Sequence, residues 1–185
     1  FASIDLDWNY TKCTCHLTMK NYINKVLLKN GRTKPTKPQL SLYKHMEIQY
    51  GATAQYANAP DTSPWLDEVG IKQIQGIIGA LLYYARAINN KLLVALSELG
   101  SQQATATEAT RTAITQLLDY AATYPDDGII YQASSMVLAA HSSAAYLNVS
   151  NACSHTGTHI MLLEDNLEPP FNGLILTIAN IIKFV

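Results

Sequence analysis

Residues 71–88 constrain this chain more than any other stretch. Ile71, Ile74, Ile77, Ile78, Leu81, Leu82 and Ala85 recur at spacings of three and four, which places them on one stripe of a helix. The stripe is broad enough to demand burial, so other elements must cover it. Gly76 and Gly79 lower the helical propensity of the same segment, and the expectation is that they allow close packing against a neighbour. A second helix is predicted over 92–99, ending at Gly100. A third begins near Thr105-Ala106-Thr107-Glu108, which has the spacing of a capping box, and runs to about residue 124. Together the three make a small helical layer.

On the N-terminal side, residues 3–19 alternate as a β-hairpin does. Ile4, Leu6 and Trp8 share one side, Asn9-Tyr10-Thr11-Lys12 supplies a polar turn, and Cys13, Cys15 and Leu17 return. The period then changes to helical over 19–30, with Tyr22, Ile23, Val26 and Leu27 on one face and Gly31 where a C-cap belongs. Residues 32–70 contain Pro35, Pro38, Pro60 and Pro64 without a sustained period, and read as a long connector lying against neighbouring surfaces. After Pro125-Asp126-Asp127-Gly128, short strands fit 129–132, 136–141, 158–163 and 174–182. The last of these fits a helix equally well, because short apolar runs do not separate the two. The predicted fold class is α+β.

A length of 185 residues with 48% hydrophobic content suits one medium or two small domains with a packed core. No apolar run approaches the roughly 18 residues of a membrane span, so a membrane is not among the expected partners. The chain opens on Phe1-Ala2-Ser3 without a basic n-region or an initiator Met, which reads as a piece of a longer frame that is not secreted. Asn148-Val149-Ser150 fits a glycosylation sequon, and is taken as chance. Three cysteines, Cys13, Cys15 and Cys153, are too few for a disulfide framework and fit a reducing intracellular compartment, cytoplasm or nucleus. Neither Cys13-Thr14-Cys15-His16 nor Cys153 with His155 and His159 has the paired spacing of a zinc module, so no metal site is expected. The net charge of −1 hides an asymmetry. Residues 1–50 hold eight basic and three acidic side chains, a balance of +5, and the remainder five basic and eleven acidic. A basic front end suits phosphate contacts, and a solvated basic loop suits the same charge equally.

Ile77-Ile78-Gly79-Ala80-Leu81-Leu82-Tyr83-Tyr84-Ala85-Arg86-Ala87-Ile88 resembles the LxGxLLYxxRxxxD segment that follows the palm in reverse transcriptases of Ty1/copia-type retrotransposons. The likeness continues through Leu93-Val94-Ala95-Leu96 and through residues 113–125. Leu6-Asp7-Trp8-Asn9-Tyr10 is similar to the family's GLxLxWxY strand, Met136-Val137-Leu138 to its first RNase H strand, and Pro169-Pro170-Phe171-Asn172-Gly173 to a stretch in some members. No single piece is diagnostic; their collinear order over nearly the whole chain is specific.

The resemblance implies a layout. Residues 1–31 would end the reverse transcriptase palm and begin its thumb, 32–70 would be an extended connector, and 71–128 a helical connection. Residues 129–185 would form a truncated RNase H-like domain with an incomplete three-stranded antiparallel sheet. The implied partners are the rest of the Pol polyprotein and the backbone of an RNA–DNA or DNA duplex. Lys25, Lys29, Arg32, Lys34 and Lys37 are the candidate phosphate contacts.

Both chemistries of the parent enzyme, RNA-directed DNA synthesis and RNA–DNA hybrid cleavage, use carboxylates around paired magnesium ions. Tyr124-Pro125-Asp126-Asp127 matches the polymerase string Tyr-x-Asp-Asp, yet it follows a predicted helix and Pro125 would disrupt a strand. It reads as an acidic turn, and the family's motif would lie upstream of Phe1. In Ser142-Ser143-Ala144-Ala145-Tyr146, Ser143 occupies the position of the first RNase H Asp, and a neutral hydroxyl cannot replace that charge. The expectation is a fragment without catalytic residues or a cofactor of its own. The alternative is a retained nucleic-acid-binding module acting through the basic 12–44 region. An open sheet without its covering helix would also leave the C-terminal third marginally stable.

Overall fold

A computed structural model of the protein describes residues 3–44, 61–149, 153–166, 168 and 171–182. It shows a mixed fold in which four α-helices and two three-stranded antiparallel sheets are seen among the described residues. β1 (Asp5–Asn9) and β2 (Thr14–Thr18) form the expected hairpin, with Leu6 opposite Leu17 and Trp8 opposite Cys15. The turn closes through Asn9, whose Oδ1 accepts from the Lys12 N–H at 2.9 Å.

α1 (Tyr22–Lys29) buries Ile23, Val26 and Leu27. It stops where Gly31 takes a φ of 65°, which costs glycine nothing for want of a Cβ. The Gly31 and Arg32 N–H groups then donate back to the Leu28 and Leu27 carbonyls, completing a Schellman cap.

α2 (Glu68–Ala87) carries the long apolar stripe, burying Ile74, Ile77, Ile78, Leu81, Tyr84 and Ala85. It starts earlier than the stripe predicts because Asp67 caps it, its Oδ1 accepting from the Gly70 N–H at 2.8 Å. Gly76 and Gly79 do not serve close packing. A Cβ at either would meet nothing within 4 Å, because both lie on the side of the helix turned away from its neighbours. After a short 3₁₀ turn, α3 (Leu93–Gln102) runs past Gly100. α4 (Glu108–Thr123) is capped by Thr107, not Thr105, which closes a preceding 3₁₀ turn; Thr107 and Thr110 exchange the reciprocal bonds of the capping box. Met19, Ile23, Leu27, Ile74, Leu81, Leu92, Ile114, Leu117 and Leu118 form the centre of one core beneath α1–α4.

The connector is irregular over 32–44 and 61–67, and residues 45–60 lie outside the described residues. Its last part runs beside the N-terminus of α4. There Leu66 N–H bonds the Ala106 carbonyl, and Glu108 N–H bonds that of Pro64.

The strand over 129–132 corrects the layout implied above. β3 (Gly128–Gln132) pairs with β2, giving a sheet in the order β1-β2-β3, so a boundary at 128/129 would separate a strand from its own sheet. The register explains this: Ile129 and Tyr131 stand opposite Leu17 and Cys15 and extend the hairpin's apolar face. Gly128 is required there, because the His16 ring occupies the place of its missing Cβ.

The second sheet is β4 (Val137–Val149), β5 (Cys153–Leu163) and β6 (Leu174–Ile182) in that order, with longer strands than the sequence indicates. Residues 174–182 are therefore strand and not helix, and residues 183–185 lie outside the described residues. α3 packs against β6, bringing Ala179 to the edge of the core.

Candidate nucleic-acid interface

The basic segment is built on two elements. Lys25 and Lys29 sit one turn apart on α1, on the side away from Ile23, Val26 and Leu27, and both are exposed. The chain that follows the Schellman cap is held along α4 by three ties. Arg32 Nη2 bonds Asp119, the Gln39 N–H donates to Thr123 Oγ1 at 2.9 Å, and Gln116 Nε2 donates to the Ser41 carbonyl at 3.1 Å. Residues 116, 119 and 123 share one face of α4 by their spacing. Lys34 and Lys37 lie between these ties and are exposed.

Arg32 differs from the four lysines. Its Nη2 lies 3.0 and 3.2 Å from the two Asp119 carboxylate oxygens, and the pair is partly buried. A guanidinium held this way fastens α1 to α4 and is not free for a phosphate. Among the described residues no ion pair involves Lys25, Lys29, Lys34 or Lys37. The predicted group of five thus becomes four solvated ammonium groups and one structural cation.

The hairpin sheet offers a second surface. Leu6, Trp8, Cys15, Leu17 and Tyr131 line a trough of about 510 Å³ that continues past Tyr10. Trp8 and Tyr10 stack with centroids 6.5 Å apart and planes 19° apart, and both rings are largely exposed. The trough is apolar and suits a flat or apolar group. Alternation in the sequence located this face but indicated burial, because it could not show that nothing among the described residues packs upon it.

Tyr124-Pro125-Asp126-Asp127 lies between α4 and β3, as a turn after a helix. Asp127 accepts from Asn89 Nδ2 at 2.5 Å and faces Lys91 Nζ at 3.4 Å, fastening the α2–α3 corner to the start of β3. Burial pushes the nearby Tyr84 phenol up to about 12, with the Asp127 and Asp126 charges adding to the rise and the Asn89 amide opposing it. The Asn89 amide is close to the Tyr84 hydroxyl, but no hydrogen bond forms between them by geometry.

Ser143 is exposed in the middle of β4, opposite Gly157. Its same-face neighbours on β4 are His141 and Ala145, and His159 stands across from His141. Magnesium takes oxygen ligands in an octahedron and is usually anchored by carboxylates, so this donor set does not fit it. Among the described residues no three His, Cys, Asp or Glu side chains converge on a common point, the Cys13–His16 and Cys153–His159 groups included. Glu164 accepts from Ser135 Oγ at 2.6 Å, which fixes the entry to β4. Among the described residues no helix is long and apolar enough to cross a membrane.

Sequence reasoning noted Asn172 and Gly173 only as part of a family stretch. Asn172 Nδ2 donates to the Gln132 and Leu162 carbonyls, both at 2.9 Å, and its Oδ1 accepts from the Gln132 N–H at 2.8 Å. One amide therefore joins β3 of the first sheet to β5 of the second. Gly173 packs so closely on β3 that a Cβ would lie 2.8 Å from the Ile130 carbonyl oxygen and 2.7 Å from Tyr131 Cδ1. An Asn-Gly pair usually signals a turn, so this bridging role had no local signal.

None of the protein families, curated proteins or solved structures compared with this chain matches it. The likeness to Ty1/copia-type reverse transcriptases rests on the motifs quoted above.

Proposed function

We propose that this chain is a duplex-handling and connecting segment of a Ty1/copia-type reverse transcriptase–RNase H polyprotein, without a catalytic centre of its own. The observation that carries the reading is the set of four exposed lysines, Lys25, Lys29, Lys34 and Lys37, on a helix and strap pinned to α4. A rigid support holding ammonium groups in solvent suits contact with a phosphate backbone, which positions a duplex without reading its sequence. RNA-directed DNA synthesis and hybrid cleavage belong, in this reading, to the parent polyprotein. The compartment that goes with it is intracellular, cytoplasm or nucleus. The RNase H-like assignment of β4–β6 belongs to the same proposal and rests on the Met136-Val137-Leu138 likeness.

The test is binding to an RNA–DNA hybrid as salt is raised. Four phosphate contacts predict a log–log slope of about −3.6, hence roughly 150-fold weaker binding at 200 mM than at 50 mM salt. Replacing Lys25 and Lys29 by Ala should shift the slope by about two units, and a slope near zero in the unsubstituted protein refutes the reading. A second reading, a binding module retained for its own sake, predicts the same slope. It differs in requiring that the isolated chain bind with useful affinity at physiological salt. Metal-dependent cleavage of the hybrid would contradict both.

A further inference from the structure

β4 is an edge strand of unusual openness. It pairs with β5 on one side only, and residues 140–146 are all exposed. Its sequence, Val137 to Val149, contains no Lys, Arg, Asp, Glu or Pro. Those residues, with bulges and covering loops, are the devices that keep edge strands from pairing with other chains. β4 has one irregularity, between Ala145 and Val149, and among the described residues nothing bonds its outer edge.

The sheet it borders has an apolar face. The register places Leu138, Ala140, Ser142 and Ala144 on the same side as Ile160 and Leu162 of β5 and Leu176 and Ile178 of β6. Leu138, Leu176 and Ile178 are exposed, at 70%, 48% and 36%.

We propose that a second copy of this chain pairs with it along β4, antiparallel and about a two-fold axis near Ser143, the strand's middle residue. Three observations select a second copy. An antiparallel edge is complementary to itself, with each N–H and carbonyl meeting its symmetry mate. The edge carries no charge to repel its copy. Pairing also joins the two uncharged faces into one six-stranded sheet. An edge of 13 residues is about 44 Å long and about 10 Å deep, so roughly 900 Å² is covered in total. That is below the ~1,200 Å² of a standard interface, so the dimer is a weak one with a micromolar dissociation constant.

Sedimentation of the full chain from low to several hundred micromolar should show the mass doubling and then levelling. Ser143→Lys sets two ammonium groups opposite each other at the axis, and Gly157 leaves room for the new side chain within each copy. This variant should remain monomeric at every concentration, while Ser143→Thr should dimerise as the unsubstituted protein does. In a Cys13→Ser background, Ser143→Cys should oxidise to a dimer linked 143 to 143, identified by peptide mapping. If Ser143→Lys fails to fold, hydrogen exchange of the unsubstituted protein decides: amides over 140–146 should gain protection as concentration rises. A monomer throughout, open-ended growth without a dimer plateau, a dimer indifferent to Ser143→Lys, or exchange independent of concentration each overturns the proposal.

Discussion

Replacing Asn172 by Ala should loosen the joint between the two sheets. The side chain makes four hydrogen bonds: Oδ1 accepts from the Gln132 and Gly173 N–H groups at 2.8 and 2.7 Å, and Nδ2 donates to the Gln132 and Leu162 carbonyls at 2.9 Å each. Gln132 is exposed, so water takes over its lost bonds and each costs ~1 kcal/mol or less. The Leu162 carbonyl and the Gly173 N–H are partly or fully buried, and leaving such a group unpaired costs ~1–3 kcal/mol. A total near 3 kcal/mol is expected, which for a chain of this size lowers Tm by roughly 6–12 °C. Asn172→Asp sharpens the test. It keeps the acceptor but turns a carboxylate toward two carbonyl oxygens, so at neutral pH it should destabilise more than Ala. That carboxyl is more easily protonated in the folded than in the unfolded chain, so its folded pKa is raised. The stability it costs therefore returns as pH falls toward about pH 4, where the protonated group donates again. Thermal melts of the three proteins at both pH values provide the comparison. An Ala variant within ~0.5 kcal/mol of the parent, or an Asp variant no worse than Ala at neutral pH, refutes the joint.

Three further outcomes follow from the same geometry. Arg32→Ala should cost ~1 kcal/mol in urea melts, couple to Asp119→Ala in a double-mutant cycle by ~0.5–1 kcal/mol, and leave the salt slope of duplex binding unchanged. Tyr84 has its pKa raised from 10.0 to about 12 by burial, so its contribution to stability is whole below pH 10 and is lost as pH rises from 10 to about 12. Tyr84→Phe should flatten the alkaline decline in that window, and should change stability at neutral pH by less than ~1 kcal/mol because the hydroxyl makes no hydrogen bond. Hydrogen exchange at low concentration should be faster over 140–146 than over 74–85, since β4 is exposed where α2 is buried; equal protection would contradict the marginal stability expected for the C-terminal sheet.

Local pattern and tertiary arrangement contributed differently. Periodicity alone was enough for α2, because seven apolar residues on one stripe leave a helix no other face to bury. Gly31 marked the end of α1 because only a residue without a Cβ accepts a φ of 65° at no cost. The four lysines were legible as cations, and Ser143 as a neutral side chain where the family resemblance implies a carboxylate. Strand partnership was not legible. Residues 128–132 carry an alternation that any sheet would accept, and their assignment to β2 depended on Cys15 and Leu17 being free to receive Tyr131 and Ile129. Arg32 reads like its lysine neighbours in sequence, and became a structural group only because the cap at Gly31 turns it toward Asp119, 87 residues away. The sequence by itself therefore determined which segments are helix or strand, since each depends on contacts within a few residues. Which strands share a sheet, which cation is occupied, and that Asn172 joins two sheets were decided by long-range packing, which no local window contains.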